Sequence, residues 1–191
     1  FCSLRQGVDN VVDRLSGRPS RRRTGWLGRA SELRETLRDT ASHAGHDAAE
    51  LAGSILPDFG IELTPVNLSV PGALAAALRP NTRLVHCESP CNPILRLTDL
   101  AEVARIAHAH GALVSVDSTL ATPVSTRPLS LGVDLVVHSL TKFINGHGDA
   151  LGGIVVGRQA LIAPMRGRAG VYLGAAMPAM NAWLILRGID T

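Results

Sequence analysis

The sequence predicts an α/β fold, a mostly parallel sheet with flanking helices. Two observations carry this expectation. Short apolar runs at 82–89, 112–117, 133–139 and 152–157 read as strands, and the last three are Val-rich, the composition of strands buried on both faces. Helix-forming stretches alternate with the strand-like runs, which favours parallel strands joined by crossovers, and no repeat of fixed period is visible.

Taken in order, "GIELTPVN" (60–67) alternates like a strand, "GALAAAL" (72–78) is helix-forming, and "TRLVHCES" (82–89) is an apolar strand closed by Pro90 and Pro93. "LTDLAEVARIAHAHG" is the clearest helix. Thr98 is its expected N-cap, Asp99 and Glu102 fall in its first turn, and Gly111 follows its end. Leu100, Val103, Ala104, Ile106 and Ala107 share one face of it. "ALVSVD" (112–117), "VDLVVHS" (133–139) and "GGIVVG" (152–157) read as further strands, and "MPAMNAWLILRG" (177–188) as a closing helix. Residues 1–54 are different. They form an atypical Arg-, Gly- and Ala-rich segment, expected to be disordered or partly helical, with a short helix over Ser31–Arg38. Residues 55–191 are expected to form the α/β domain.

Composition narrows the function classes. The net charge is +3, but residues 1–50 hold nine Arg against seven acids and the remainder ten basic residues against nine acids, so no global nucleic-acid footprint is expected. No apolar run reaches the roughly 18 residues of a membrane span. Three cysteines, at 2, 87 and 91, lack C-x-x-C spacing and read as reduced thiols of a cytoplasmic protein.

Ligands of parallel sheets bind at the carboxyl ends of strands. One strand here runs from Glu88 into "SPCNP", which places Asn92 in its exit loop. The next ends at Asp117, followed by Ser118 and Thr119, and the third ends at Ser139 and leads through Thr141 to Lys142. Lys142 is the single lysine of the chain, and the other 18 basic residues are arginine. A lysine amine condenses with an aldehyde to a Schiff base, and a delocalised guanidinium does not. Pyridoxal phosphate is the aldehyde cofactor that uses such a lysine together with an Asp at its pyridine nitrogen. Asp117 fits that place, Ser139 and Thr141 could donate to the phosphate, and Asn92 to the phenolic oxygen.

"ESPCNP", "HGALVSVDST", "RPLSLGVDLVVHSLTKFINGHGDALGGIVVG" and "AWLILRGIDT" together resemble the Cys/Met-metabolism family of pyridoxal-phosphate enzymes, over roughly residues 55 to 191. The family includes cystathionine γ-synthase and γ-lyase, methionine γ-lyase and the homoserine-ester sulfhydrylases. The resemblance implies the large domain of a type I aminotransferase-like fold, in part. It implies Lys142 as Schiff-base lysine, Asp117 as pyridinium partner, Ser139 and Thr141 as phosphate ligands, and Asn92 as a ring contact. It further implies a carbon–sulfur lyase or γ-replacement enzyme of transsulfuration type, acting on a sulfur amino acid or homoserine ester, and a homotetramer of dimers with shared active sites.

Some family features have no counterpart. The glycine-rich Ser-Gly-Met phosphate segment is missing, the stacking tyrosine should fall near Gly45, and the single tyrosine is Tyr172. A family subunit is roughly twice this length, a size consistent with two domains. The expectation is therefore a partial chain, and the alternative reading is a non-catalytic cofactor-domain remnant. His138, His147 and Asp149 lack metal-ligand spacing and are expected in turn or backbone contacts, with no metal. "GHGDALG" precedes a strand instead of opening a helix after one, which excludes a dinucleotide fingerprint. "RPSRRR" (18–23) reads as a solvated segment.

Overall fold

A computed structural model describes residues 53–191. The expected helix over Ser31–Arg38, the rest of the Arg-rich segment and the position near Gly45 lie outside the described residues. The chain divides into two units, residues 1–65 and 66–191.

Among the described residues of the first unit a helical turn, Leu56–Phe59, is closed by Gly60, whose N–H donates to Pro57 O at 2.9 Å. The strand expected over 60–67 does not form: residues 61–67 pair with no sheet. Pro65 removes a ladder donor from that run and Ile61 stays half exposed, so alternation alone did not make a strand.

The second unit holds the sheet. Helix α1 (Ala73–Ala77) buries Leu74 and precedes strand β1 (Leu84–Glu88). Helix α2 (Leu100–Ala109) leads into β2 (Leu113–Asp117). A short helix α3 (Thr122–Ser125) and a helical turn (Pro128–Leu131) lead to β3 (Leu135–Ser139). A wide helical turn (Leu140–Ile144) and a loop then reach β4 (Gly153–Gly157), which is followed by α4 (Gln159–Met165) and α5 (Ala179–Ile189). The strand order is β1-β2-β3-β4, with the first two pairings parallel and β4 antiparallel to β3. The expected mostly parallel sheet is present.

Hydrophobic periodicity explains the core. Leu100, Val103, Ala104 and Ala107 recur at the spacing of one helix face, and all four are buried against Val85, Cys87, Val114, Val116 and Val136. Burying each of the larger side chains contributes about 1.5–3 kcal/mol. Two expectations need correction. The N-cap of α2 is Asp99, whose carboxylate accepts from Glu102 N at 3.0 Å, because Asp99 keeps extended backbone while its side chain reaches the free amide. Strand β4 is Val-rich but not buried on both faces: Ile154, Val155 and Val156 are each more than a third exposed, since β4 is the sheet's edge among the described residues.

Asp134, just before β3, is the one buried carboxylate of the described core. It accepts hydrogen bonds from Val114 N (2.9 Å), His108 Nε2 (2.8 Å) and Arg158 Nη2 (2.9 Å). Burial alone would raise its carboxyl, but these donors and the two nearby cations hold it below the ordinary value.

Candidate active site

The ladder register fixes which side chains meet at the carboxyl end of the sheet. Glu88 stands opposite Asp117, and Asp117 opposite Val137. Residues in register on parallel strands share a face, and side chains alternate along each strand. Glu88, Asp117 and Ser139 therefore lie on the face opposite to Val85, Cys87, Val114, Val116 and Val136. Asn92 follows β1 by four residues in the exit loop and is exposed.

Hydrogen bonds knit the ends of β2 and β3 together. Thr119 N donates to Asp117 Oδ1 at 2.9 Å, Ser139 N donates to Thr119 Oγ1 at 2.8 Å, and Ser118 N donates to Val137 O at 3.0 Å. Ser118 is fully buried, and its hydroxyl has no partner among the described residues. Behind Asp117 on the same face, His86 Nδ1 lies 3.1 Å from Ser115 Oγ. Burial lowers the His86 pKa against the opposing pull of the Asp117 charge. Burial raises Glu88, and the Asp117 charge adds to the shift while a hydrogen bond from the Asn92 backbone opposes it. The sheet end thus holds two neighbouring carboxyl groups.

Lys142 sits exposed in the wide turn after β3, with φ −94° and ψ −121° breaking the helical path. Its amine has no hydrogen bond or ion pair among the described residues, and the same holds for the Ser139 hydroxyl and the Asn92 side-chain amide. Thr141 differs. Its Oγ1 accepts from Gly152 N at 3.0 Å and donates to Gly152 O at 3.3 Å, so this hydroxyl is engaged with the residue before β4. Asn92, Asp117, Ser139, Thr141 and Lys142 all fall at the carboxyl end of three adjacent strands, with no hydrogen bond or ion pair between Lys142 and Asp117.

The residues after Lys142 are held by groups that sequence reasoning did not single out. Asn145 is fully buried and donates from Nδ2 to His147 O (2.6 Å) and Asp149 Oδ1 (3.1 Å). Asp149 also pairs with Arg187 of α5. His147 Nδ1 lies 2.8 Å from Asn145 O, and His138 Nδ1 lies 3.1 Å from Ser118 O. His138 and His147 make the backbone contacts expected of them, whereas Asp149 bonds two side chains, Asn145 and Arg187. The signal in the sequence for Asn145 and Gly188 was slight: an Asn-Gly pair, and a glycine inside an otherwise apolar helix.

A cavity lies elsewhere, an open hollow of about 720 Å³ beside His108, Leu113, Asp134 and Arg158, at the start of β2 and β3, the end of the sheet opposite to Lys142. The chemistry of the donor sets separates the two places. His108 and Arg158 are engaged with Asp134, whereas Lys142, Ser139 and Asn92 offer an uncommitted amine, hydroxyl and amide beside the Asp117 carboxylate. The second set fits an aldehyde cofactor that carries an anion and a basic ring nitrogen.

Known proteins share this architecture. A canavanine γ-lyase of Pseudomonas canavaninivorans is 50% identical over 142 residues, 74% of this chain and 36% of that protein. An L-methionine γ-lyase of Pseudomonas putida is 48% identical over 135 residues, 70% of this chain and 34% of that protein. The crystal structure of cystathionine γ-lyase from Lactobacillus plantarum complexed with L-serine superposes with a TM-score of 0.72 at 35% identity, over 76% of this chain and 38% of that one. The chain thus spans about a third of the length of the curated relatives it matches. The sequence profile of Cys/Met metabolism PLP-dependent enzymes matches residues 45–191, and the chain belongs to that family.

Proposed function

We propose that the protein is a pyridoxal-phosphate-dependent carbon–sulfur lyase or γ-replacement enzyme of sulfur amino-acid metabolism, with Lys142 as its cofactor lysine. The observation that carries this reading is the placement of the single lysine, with an unpartnered amine, in the turn after β3, while Asp117 ends the adjacent strand. When bound, pyridoxal phosphate supplies an electron sink for the pair left at the substrate Cα.

The residues divide the remaining work. Lys142 would hold the cofactor through its amine, and a free Lys142 amine would carry a proton between Cα and Cβ of the substrate as base and acid. Asp117 holds a proton on the pyridine nitrogen, and its own position is fixed by the Thr119 amide. Ser139 donates its hydroxyl to the phosphate. Thr141 does the same only by turning its O–H away from Gly152 O, a weak 3.3 Å bond, while still accepting from Gly152 N. Asn92 reaches the phenolic oxygen from the β1 exit loop.

The substrate class comes from the relatives, whose names include canavanine and methionine γ-lyases. A leaving group on Cγ is the shared chemistry, and a sulfur amino acid or homoserine ester provides it. The protein is further proposed to be cytoplasmic and to assemble as a homotetramer of dimers. Exposed Met180, Trp183, Leu186 and Ile189 along α5 support association. No described helix is long and apolar enough to cross a membrane.

The test is a substrate panel of methionine, cystathionine, canavanine and O-succinylhomoserine, supplied to the purified protein with pyridoxal phosphate. The reading expects saturable cofactor binding by the 191-residue chain with negligible turnover, and release of 2-oxo acid or a thiol-dependent replacement product from at least one substrate once the chain is extended to the length of its relatives. Absence of saturable binding would overturn it.

A further inference from the structure

We infer that Gly188 of α5 is a positioning residue for Lys142, acting through a seat that α5 forms under the wide turn; this rests on the proposed reading of Lys142 as cofactor lysine. Four contacts make the seat. Ile185, 3% exposed, packs with Leu140 and Ala150 on either side of the lysine loop. A Cβ on Gly152 would fall 2.6 Å from Ile185 Cδ1, so Ile185 packs directly on the Gly152 backbone and would have to shift to admit a side chain. Arg187 pairs with Asp149. Gly188 meets Asn145 so closely that a Cβ there would lie 2.0 Å from Asn145 O and 2.7 Å from Asn145 Oδ1, distances that real Cβ contacts do not show.

The path to Lys142 is short and made of backbone. Asn145 N donates to Leu140 O at 3.0 Å, and Gly146 N donates to Lys142 O at 2.9 Å. Leu140 N is held in turn by Gly152 O at 2.8 Å. The lysine turn is thus clamped on one side by Gly152 and on the other by Asn145, and α5 touches both. Asn145 is wholly buried, with its Oδ1 unpartnered among the described residues and facing Gly188. Any side chain at 188 must push the Asn145 carbonyl, and with it the two amides that hold the turn. The helix tolerates a poor helix former here because only glycine permits that approach.

The experiment compares Gly188→Ala with the parent protein and with Gly170→Ala, a control position with nothing within 4 Å of its Cβ. Two readouts are taken: hydrogen exchange at the Asn145 and Gly146 amides without cofactor, and retention of added pyridoxal phosphate by visible absorbance. The inference expects Gly188→Ala to speed both amides and weaken retention by about 10-fold or more, since angstrom-scale displacement of a reacting group has effects of that order. Gly170→Ala should change neither. If Gly188→Ala does not fold, Arg187→Gln is measured instead and should speed the same two amides several-fold. Unchanged exchange and retention, with borohydride still fixing cofactor on Lys142, would overturn the inference and leave the functional reading standing. Faster exchange in Gly188→Ala, with a parent that never fixes cofactor on Lys142, would overturn the functional reading, and the positioning role with it.

Discussion

The Ser139 amide donates to the Thr119 hydroxyl at 2.8 Å, which ties the exit of β3 to the exit of β2 through a side chain. Thr119 N in turn donates to Asp117 Oδ1. One threonine therefore orients both the carboxylate proposed for the ring nitrogen and the residue proposed for the phosphate.

Thr119→Val keeps the shape and removes the acceptor. The Ser139 amide then loses its partner, which should lower stability by about 1–3 kcal/mol. Denaturant unfolding, paired with a cofactor titration, checks this. Stability and cofactor retention unchanged from the parent would show that the strand exits do not depend on this bond.

Ser139→Ala and Thr141→Ala should separate. The Ser139 hydroxyl has no partner among the described residues, so its loss should weaken cofactor retention by about 1.5–3 kcal/mol, as for a hydrogen bond to a charged group, with unfolding unaffected. The Thr141 hydroxyl closes the turn onto Gly152, so its loss should also lower stability. Equal effects of the two substitutions on both measurements would contradict the assignment.

Asp134 gives a pH dependence whose sign follows from its lowered pKa. A carboxyl depressed in the fold contributes stability above its ordinary value of 3.8 and loses that contribution as pH falls through the folded value. Asp134→Asn should remove this acid-side slope and, at pH 7, cost about 1–3 kcal/mol through the weakened bonds to His108 and Arg158. Urea unfolding of both proteins from pH 7 down to pH 3 measures it; parallel curves would refute the role.

Glu88 should show the opposite sign. Its carboxyl is raised by burial and by Asp117, so ionising it opposes folding: stability is full below the ordinary value of 4.5 and is lost as pH rises through the folded value. Glu88→Gln should therefore be neutral or stabilising at pH 7 relative to its effect at pH 4. A larger loss at pH 7 than at pH 4 would contradict this.

Much of the sheet was legible because its signals are local. An apolar run found β1, Val-rich runs found β2 to β4, and the 3.6-residue spacing of Leu100, Val103 and Ala107 found α2. The false strand over 60–67 shows the limit, since alternation speaks only of one chain and not of a partner edge. The exposure of β4 was hidden for the same reason: composition does not say where a strand stands in the sheet. At the proposed site, the strand-end placement of Lys142, Asp117, Ser139, Thr141 and Asn92 was readable from the sequence. Thr141's engagement with Gly152 and the fit of Gly188 against Asn145 were not, because both depend on β4 and α5 returning from later in the chain.

Borohydride trapping tests the central claim most directly. The protein is loaded with pyridoxal phosphate, reduced and mapped by mass spectrometry, and Lys142 offers the chain's single side-chain ε-amine. The account predicts one cofactor per chain, fixed on the peptide that contains Lys142 and lost in Lys142→Arg. Cofactor fixed on the N-terminal amine alone, or labelling that persists in Lys142→Arg, would contradict it.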